Sequence, residues 1–122
     1  MYPQDPIAGT LRQYDVPNWR PLVDLVGTVL ADWFMWMCEI ELADGSRVQA
    51  YKHISTRRYL HLDLQGCAFD YTWDGRYQPI PGRVAIELAF LGWETLFPLP
   101  DDPSAVANAL RHACSAAPDV CR

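Results

Sequence analysis

The sequence predicts an α+β fold: an antiparallel β-meander of about five strands over roughly residues 32–80, with helices over about 19–27, 83–93 and 103–116 packed mainly on one of its faces. Three turn dipeptides, Asp44-Gly45, Gln65-Gly66 and Asp74-Gly75, mark hairpins because their residues tolerate the left-handed backbone that tight turns need. The runs between them are rich in aromatic and β-branched residues and alternate in polarity. Outside the meander, apolar segments flanked by proline carry helical spacing instead.

Residues 1–18 contain Pro3, Pro6 and Pro17 among polar residues without a period, and read as an extended arm that Ile7, Leu11, Tyr14 and Trp19 can pin to the domain. Residues 19–117 form one domain, followed by a short tail over 118–122. Asn18 caps the first helix, Pro21 sits in its first turn and Gly27 closes it.

The first hairpin closes best on a three-residue loop with Gly45 in the left-handed region, which pairs Ile40 with Val48, Cys38 with Ala50 and Glu41 with Arg47. A three-residue connection, Ile54-Ser55-Thr56, then sets His53 opposite Arg57, Tyr51 opposite Tyr59, Gln49 opposite His61 and Arg47 opposite Asp63. At Gln65-Gly66 a two-residue turn pairs Leu62 with Phe69, His61 with Asp70 and Leu60 with Tyr71. At Asp74-Gly75 the three-residue loop returns.

With these registers one face of the sheet gathers Trp36, Cys38, Ile40, Leu42, Val48, Ala50, Leu60, Leu62, Leu64, Phe69 and Tyr71, a core face. The other gathers Glu39, Arg47, Gln49, Tyr51, His53, Arg57, Tyr59, His61, Asp63 and Asp70, and meets solvent or a partner. Residues 83–93 are apolar nearly all round and read as a buried helix, with a further strand as the alternative. Asp101 or Asp102 caps the last helix, Pro103 opens it, and Val106, Ala109, Leu110, Ala113 and Ala117 form its apolar stripe.

With 122 residues, half of them hydrophobic, the chain has room for one modest core and no second domain. Its net charge of −5 disfavours a protein that coats nucleic acid or anionic membrane over its whole surface. The charge is uneven, because Arg47, Lys52, Arg57 and Arg58 cluster within residues 46–62 without an acid. No segment has the length of a membrane span or the pattern of a signal peptide, so a cytoplasmic protein is expected. Cys38 and Cys67 read as small core residues, while Cys114 and Cys121 stand close enough in sequence to bridge if oxidised. The cysteines lack zinc-site spacing, and neither a metal nor a cofactor is expected.

No nucleophile elbow, phosphate loop or dinucleotide fingerprint is present. The leading expectation is a non-enzymatic interaction module whose open sheet face, Tyr51, Lys52, His53, Arg57, Arg58, Tyr59 and His61, binds a protein partner or a second copy, since Tyr and Arg are interface-enriched. A second, from a different class, is a small-molecule enzyme or ligand-binding domain in which Asp70, across the ladder from His61, orients the imidazole, with Asp63 nearby. A third is local nucleic-acid contact at the basic turn over 52–58, which the acids on the same face disfavour.

Overall fold

The computed structural model describes residues 5–12 and 16–120. Six antiparallel strands, β1 (Ile7–Arg12), β2 (Phe34–Leu42), β3 (Arg47–His53), β4 (Tyr59–Asp63), β5 (Ala68–Tyr71) and β6 (Arg76–Ile80), follow one another in chain order and close into a barrel. Strands β2 to β6 are the meander expected from the turn dipeptides. Its closure comes from β1, which lies in the segment read as an extended arm and pairs with both β2 and β6. The reason β1 escapes a pattern reading is Gly9. Ile7, Gly9 and Leu11 occupy alternate positions of β1, and an added Cβ at Gly9 would stand 2.6 Å from Ile40 Cγ2 and 2.9 Å from Tyr77 Cε2. A missing side chain is what lets this strand close on the barrel filling, and it breaks the apolar alternation that marks a strand.

The first hairpin has the anticipated register, Ile40 opposite Val48 and Glu41 opposite Arg47, around a loop with Gly45 at φ 87°. The last hairpin also has its three-residue loop: Thr72 N–H donates to Arg76 O at 2.8 Å, with Gly75 at φ 81°. Between them, β4 departs from the expected register on both sides. The β3–β4 connection has four residues, not three, because Arg57 takes a left-handed backbone (φ 64°) and donates its N–H to His53 O at 3.0 Å. The loop is held from inside by His53, whose Nδ1 accepts the N–H groups of Ser55 and Thr56, each at 3.1 Å. The β4–β5 turn has three residues, not two: Asp63 N–H donates to Cys67 O at 2.9 Å, with Gly66 at φ 85°. There Asp63 Oδ1 accepts from the N–H groups of Gln65 and Cys67, both at 2.9 Å.

Each slip is one residue, and a one-residue slip turns a strand over. Because both flanking registers slip, β4 alone is inverted while β3 and β5 keep the expected relation. Leu60 and Leu62, expected beside Val48 and Ala50, instead face the helices; His61 stands opposite Ala50 and Tyr59 opposite Lys52. Leu64, expected in the core, is half exposed in the turn. One bulge makes a further correction. The β2–β3 register shifts between Trp36 and Cys38, so Trp36 pairs with Tyr51 and donates its indole N–H to Gln49 Oε1 at 2.8 Å instead of sharing the face of Cys38.

The core therefore has two parts. Inside the barrel lie Ile40, Leu42, Val48, Ala50, Phe69 and Tyr77. Outside it, Phe34, Tyr51, Leu60, Leu62 and Ile80 are covered by helices α1 (Arg20–Ala31), α2 (Gly82–Ala89) and α3 (Pro103–Ala116). Burying side chains of this size stabilises by about 1.5–3 kcal/mol each. The first helix runs past its expected end, with Gly27 (φ 83°, ψ 169°) as a break that the chain crosses. Asn18 is not its N-cap, which is Trp19, although Asn18 Oδ1 does accept the Arg20 N–H at 3.2 Å. Residues 83–93 are helical only as far as Ala89, after which Gly92 in the left-handed region leads into a 3₁₀ turn at Trp93–Thr95. The last helix begins as read, with the Asp102 carboxylate accepting the Ala105 N–H at 3.2 Å and Pro103 in the first turn.

Cys38 and Cys114 are free thiols, whereas Cys67 is engaged in a disulfide and is not a plain core residue. Tyr14 and Cys121 lie outside the described residues. No helix among the described residues is long and apolar enough to cross a membrane.

Candidate ligand-binding site

The inversion of β4 decides which side chains meet. With Tyr59 and His61 turned inward, β4 contributes two aromatic rings where two leucines were expected. His61 stacks on Tyr59 with ring centroids 5.6 Å apart and meets Tyr77 edge-on at 5.3 Å. Tyr77 in turn lies 5.0 Å from Tyr71. These four rings, with Leu11, Cys38, Ile40 and Ala50, line a chamber of about 280 Å³ in the barrel that is open to solvent where Leu11, Tyr59 and Tyr71 are about half exposed. Its small residues, Cys38 and Ala50, leave the space that the rings do not fill.

A second space adjoins the first. Pairing between β4 and β5 covers only His61 with Phe69 and Leu62 with Ala68, so the ladder stops before Leu60 and Asp70. Beyond that point a groove of about 410 Å³ is lined by Arg58, Tyr59, His61, Asp70, Tyr71 and Leu88. Tyr59, His61 and Tyr71 line both spaces and form the wall they share.

His61 is 6% exposed, and the described residues offer its ring nitrogens no hydrogen-bond partner. Burial lowers its pKa to about 4, so the imidazole is neutral at neutral pH with one donor and one acceptor nitrogen. Burial, followed by the neighbouring Tyr71 and Cys38, pushes Tyr77 up to about 12, and burial also raises the Cys38 thiol. The chamber is thus apolar and uncharged at neutral pH apart from the hydrogen-bonding capacity of His61 and the phenols.

No protein-family model matches the chain, and no curated protein or solved structure matches it either.

The residues singled out in the sequence fall into three places. Tyr51 and His53 are fully buried under the helices, so the face on which an open aromatic surface was expected is not formed. Tyr51 donates its hydroxyl to Asn18 O at 2.6 Å and packs against Trp19, and burial raises its pKa. His53 is a structural residue: its Nδ1 accepts two loop N–H groups, so the proton sits on Nε2, which is buried without a partner among rings of Trp33, Phe34 and Phe90. Lys52, Tyr59 and His61 form the second group, with the Lys52 ammonium 5.6 Å from the Tyr59 ring centroid. Arg57 and Arg58 are exposed on the loop, and only Arg58 reaches the groove.

The expected His61–Asp70 pair is corrected as well. Asp70 stands opposite Gln78 and His61 opposite Phe69, and no hydrogen bond joins the two, although both line the groove. Asp63, the third member of that cluster, is buried and holds the β4–β5 turn. Leu11, Tyr77 and Leu88 were not anticipated as site residues, because barrel closure and helix placement bring them there. Cys38, Ile40, Ala50 and Tyr71 were anticipated, but as core. Among the described residues no group of three or more His, Cys, Asp or Glu side chains is placed to hold a metal ion.

Proposed function

We propose that this protein is a small-molecule-binding domain that receives an apolar ligand in the barrel chamber. The observation that carries the reading is His61: a side chain more than nine-tenths buried, with ring nitrogens that have no protein partner, facing an apolar chamber. His61 lines the chamber, so a ligand that brings a polar group to it gains a hydrogen bond to the ring, worth about 0.5–1.5 kcal/mol net. The chamber, at about 280 Å³, is close to the lower end of ligand pockets, which suits a small ligand with one hydrogen-bonding group. The same neutral imidazole is a weaker candidate for catalysis, because neither Asp63 nor Asp70 orients it.

The test is an NMR titration of the labelled protein with octan-1-ol. Saturable shifts at Leu11, Ile40, Ala50 and His61, abolished when Ala50→Leu fills the chamber of the folded protein, support the reading. Shifts that remain linear in concentration, or survive Ala50→Leu unchanged, contradict it.

Association with a protein partner or a second copy is a second reading, and one observation favours it. Trp73, at the tip of the β5–β6 hairpin, is 98% exposed and Phe97 is 89% exposed, which is unusual for side chains of this size. Light scattering over a wide concentration range, with Trp73→Ser as comparison, tests self-association: a mass that stays monomeric for both proteins removes it.

A further inference from the structure

We infer that the ligand of this site is a small apolar carboxylic acid, its hydrocarbon part in the barrel chamber and its carboxylate in the adjoining groove against Arg58. The inference rests on the small-molecule reading above and adds the charge of the ligand to it.

The groove is where a polar end has to go. The chamber is apolar and shares the wall formed by Tyr59, His61 and Tyr71 with the groove that Arg58 lines. The backbone of Arg58 is fixed on both sides: its N–H donates to Thr56 Oγ1 at 3.2 Å and its carbonyl accepts the His53 N–H at 2.9 Å. Its guanidinium has neither an ion pair nor a hydrogen bond among the described residues. A guanidinium on an anchored backbone, beside an apolar chamber, is suited to bidentate recognition of a carboxylate.

The other charges nearby favour an anion over a cation. Lys52, across the ladder from Tyr59, holds its ammonium over that ring and has no carboxylate partner among the described residues. The one acid in the groove, Asp70, makes no ion pair with Arg58 and is a single carboxylate beside the two cations Arg58 and Lys52. His61, neutral and nine-tenths buried between chamber and groove, has a ring N–H free to donate to the same carboxylate. A cationic ligand would meet two cations, Arg58 and Lys52, against the single carboxylate of Asp70, and a neutral one would leave Arg58 unused.

Three eight-carbon probes that differ only in the head group decide the matter: octanoate, octan-1-ol and octylamine, each titrated by calorimetry into the wild-type chain and into Arg58→Glu at neutral pH. Arg58 is exposed, so the variant retains the fold, which circular dichroism checks. The expected result is octanoate binding about tenfold or more tighter than octan-1-ol, no binding of octylamine, and loss of that preference in Arg58→Glu. Octan-1-ol binding as tightly as octanoate, or an octanoate affinity unchanged in Arg58→Glu, overturns the anionic assignment while leaving the small-molecule reading standing. If none of the three probes binds, both fall.

Discussion

His61 stands directly opposite Ala50 across the β3–β4 ladder, on the inner side of the barrel. Gln49, one residue away, lies on the outer side, where its Nε2 donates to Glu39 Oε1 at 2.8 Å. Had the strands met one residue out of step, His61 would face outward beside Gln49, and the barrel would hold Leu60 and Leu62 in place of two aromatic rings. Two loop details set this register: the left-handed Arg57 and the three-residue turn closed by Asp63.

Asp63 is the more accessible of the two to mutation. Its Oδ1 accepts two turn N–H groups from a buried position. Asp63→Ala leaves those donors unsatisfied and is expected to destabilise the chain by about 1–3 kcal/mol in urea denaturation, with Asp63→Asn costing less because it keeps an acceptor.

Barrel closure depends on the small size of Gly9. Gly9→Ala brings a methyl group within 2.6 Å of Ile40 Cγ2 and is expected to cost about 1–3 kcal/mol through overpacking. Amide exchange in β1 should accelerate most, because only Ile7 and Ala8 pair with β6. Gly27→Ala is a useful contrast: nothing lies within 4 Å of its added methyl, but its φ of 83° strains any other residue, so a cost of about 1 kcal/mol should appear without faster exchange in β1.

Two buried imidazoles give the fold a pH dependence. His53 and His61 have pKa values lowered by burial to about 4 from the ordinary 6.5. Between those values the unfolded chain binds more protons than the folded one, so stability is complete above about pH 6.5, declines as pH falls towards 4, and levels off below. A shift of this size corresponds to roughly 3 kcal/mol per histidine. Denaturation midpoints measured across that range should fall steadily, and His61→Phe should remove about half of the slope. A flat profile would show that both imidazoles are solvated.

How much of this was legible before the structure depends on what each face of the sheet touches. The Asp44-Gly45 and Asp74-Gly75 loops could be read because the wrong loop length would have mixed charged and apolar residues on one face. For β4 that test has no power. Both of its faces are buried, one by helices and one by the barrel, so Leu60 with Leu62 and Tyr59 with His61 are both acceptable fillings of either side. The register there is decided by Arg57 in a conformation that non-glycine residues seldom adopt, and no pattern announces it. The strand β1 was hidden by Gly9 and by partners far away in sequence. The site inherits both gaps: Tyr59, His61 and Arg58 were singled out, but the chamber they border exists only once β4 is inverted and β1 has closed the barrel.

The inward orientation of His61 underlies the chamber, the groove and the ligand proposed for them, and nuclear Overhauser effects from its ring protons test it most directly. The account predicts cross-peaks to the Ala50 methyl and to the rings of Tyr59 and Tyr77, with none to the side chain of Gln49. Cross-peaks to Gln49 and Asp70 in place of Ala50 and Tyr77 would contradict it.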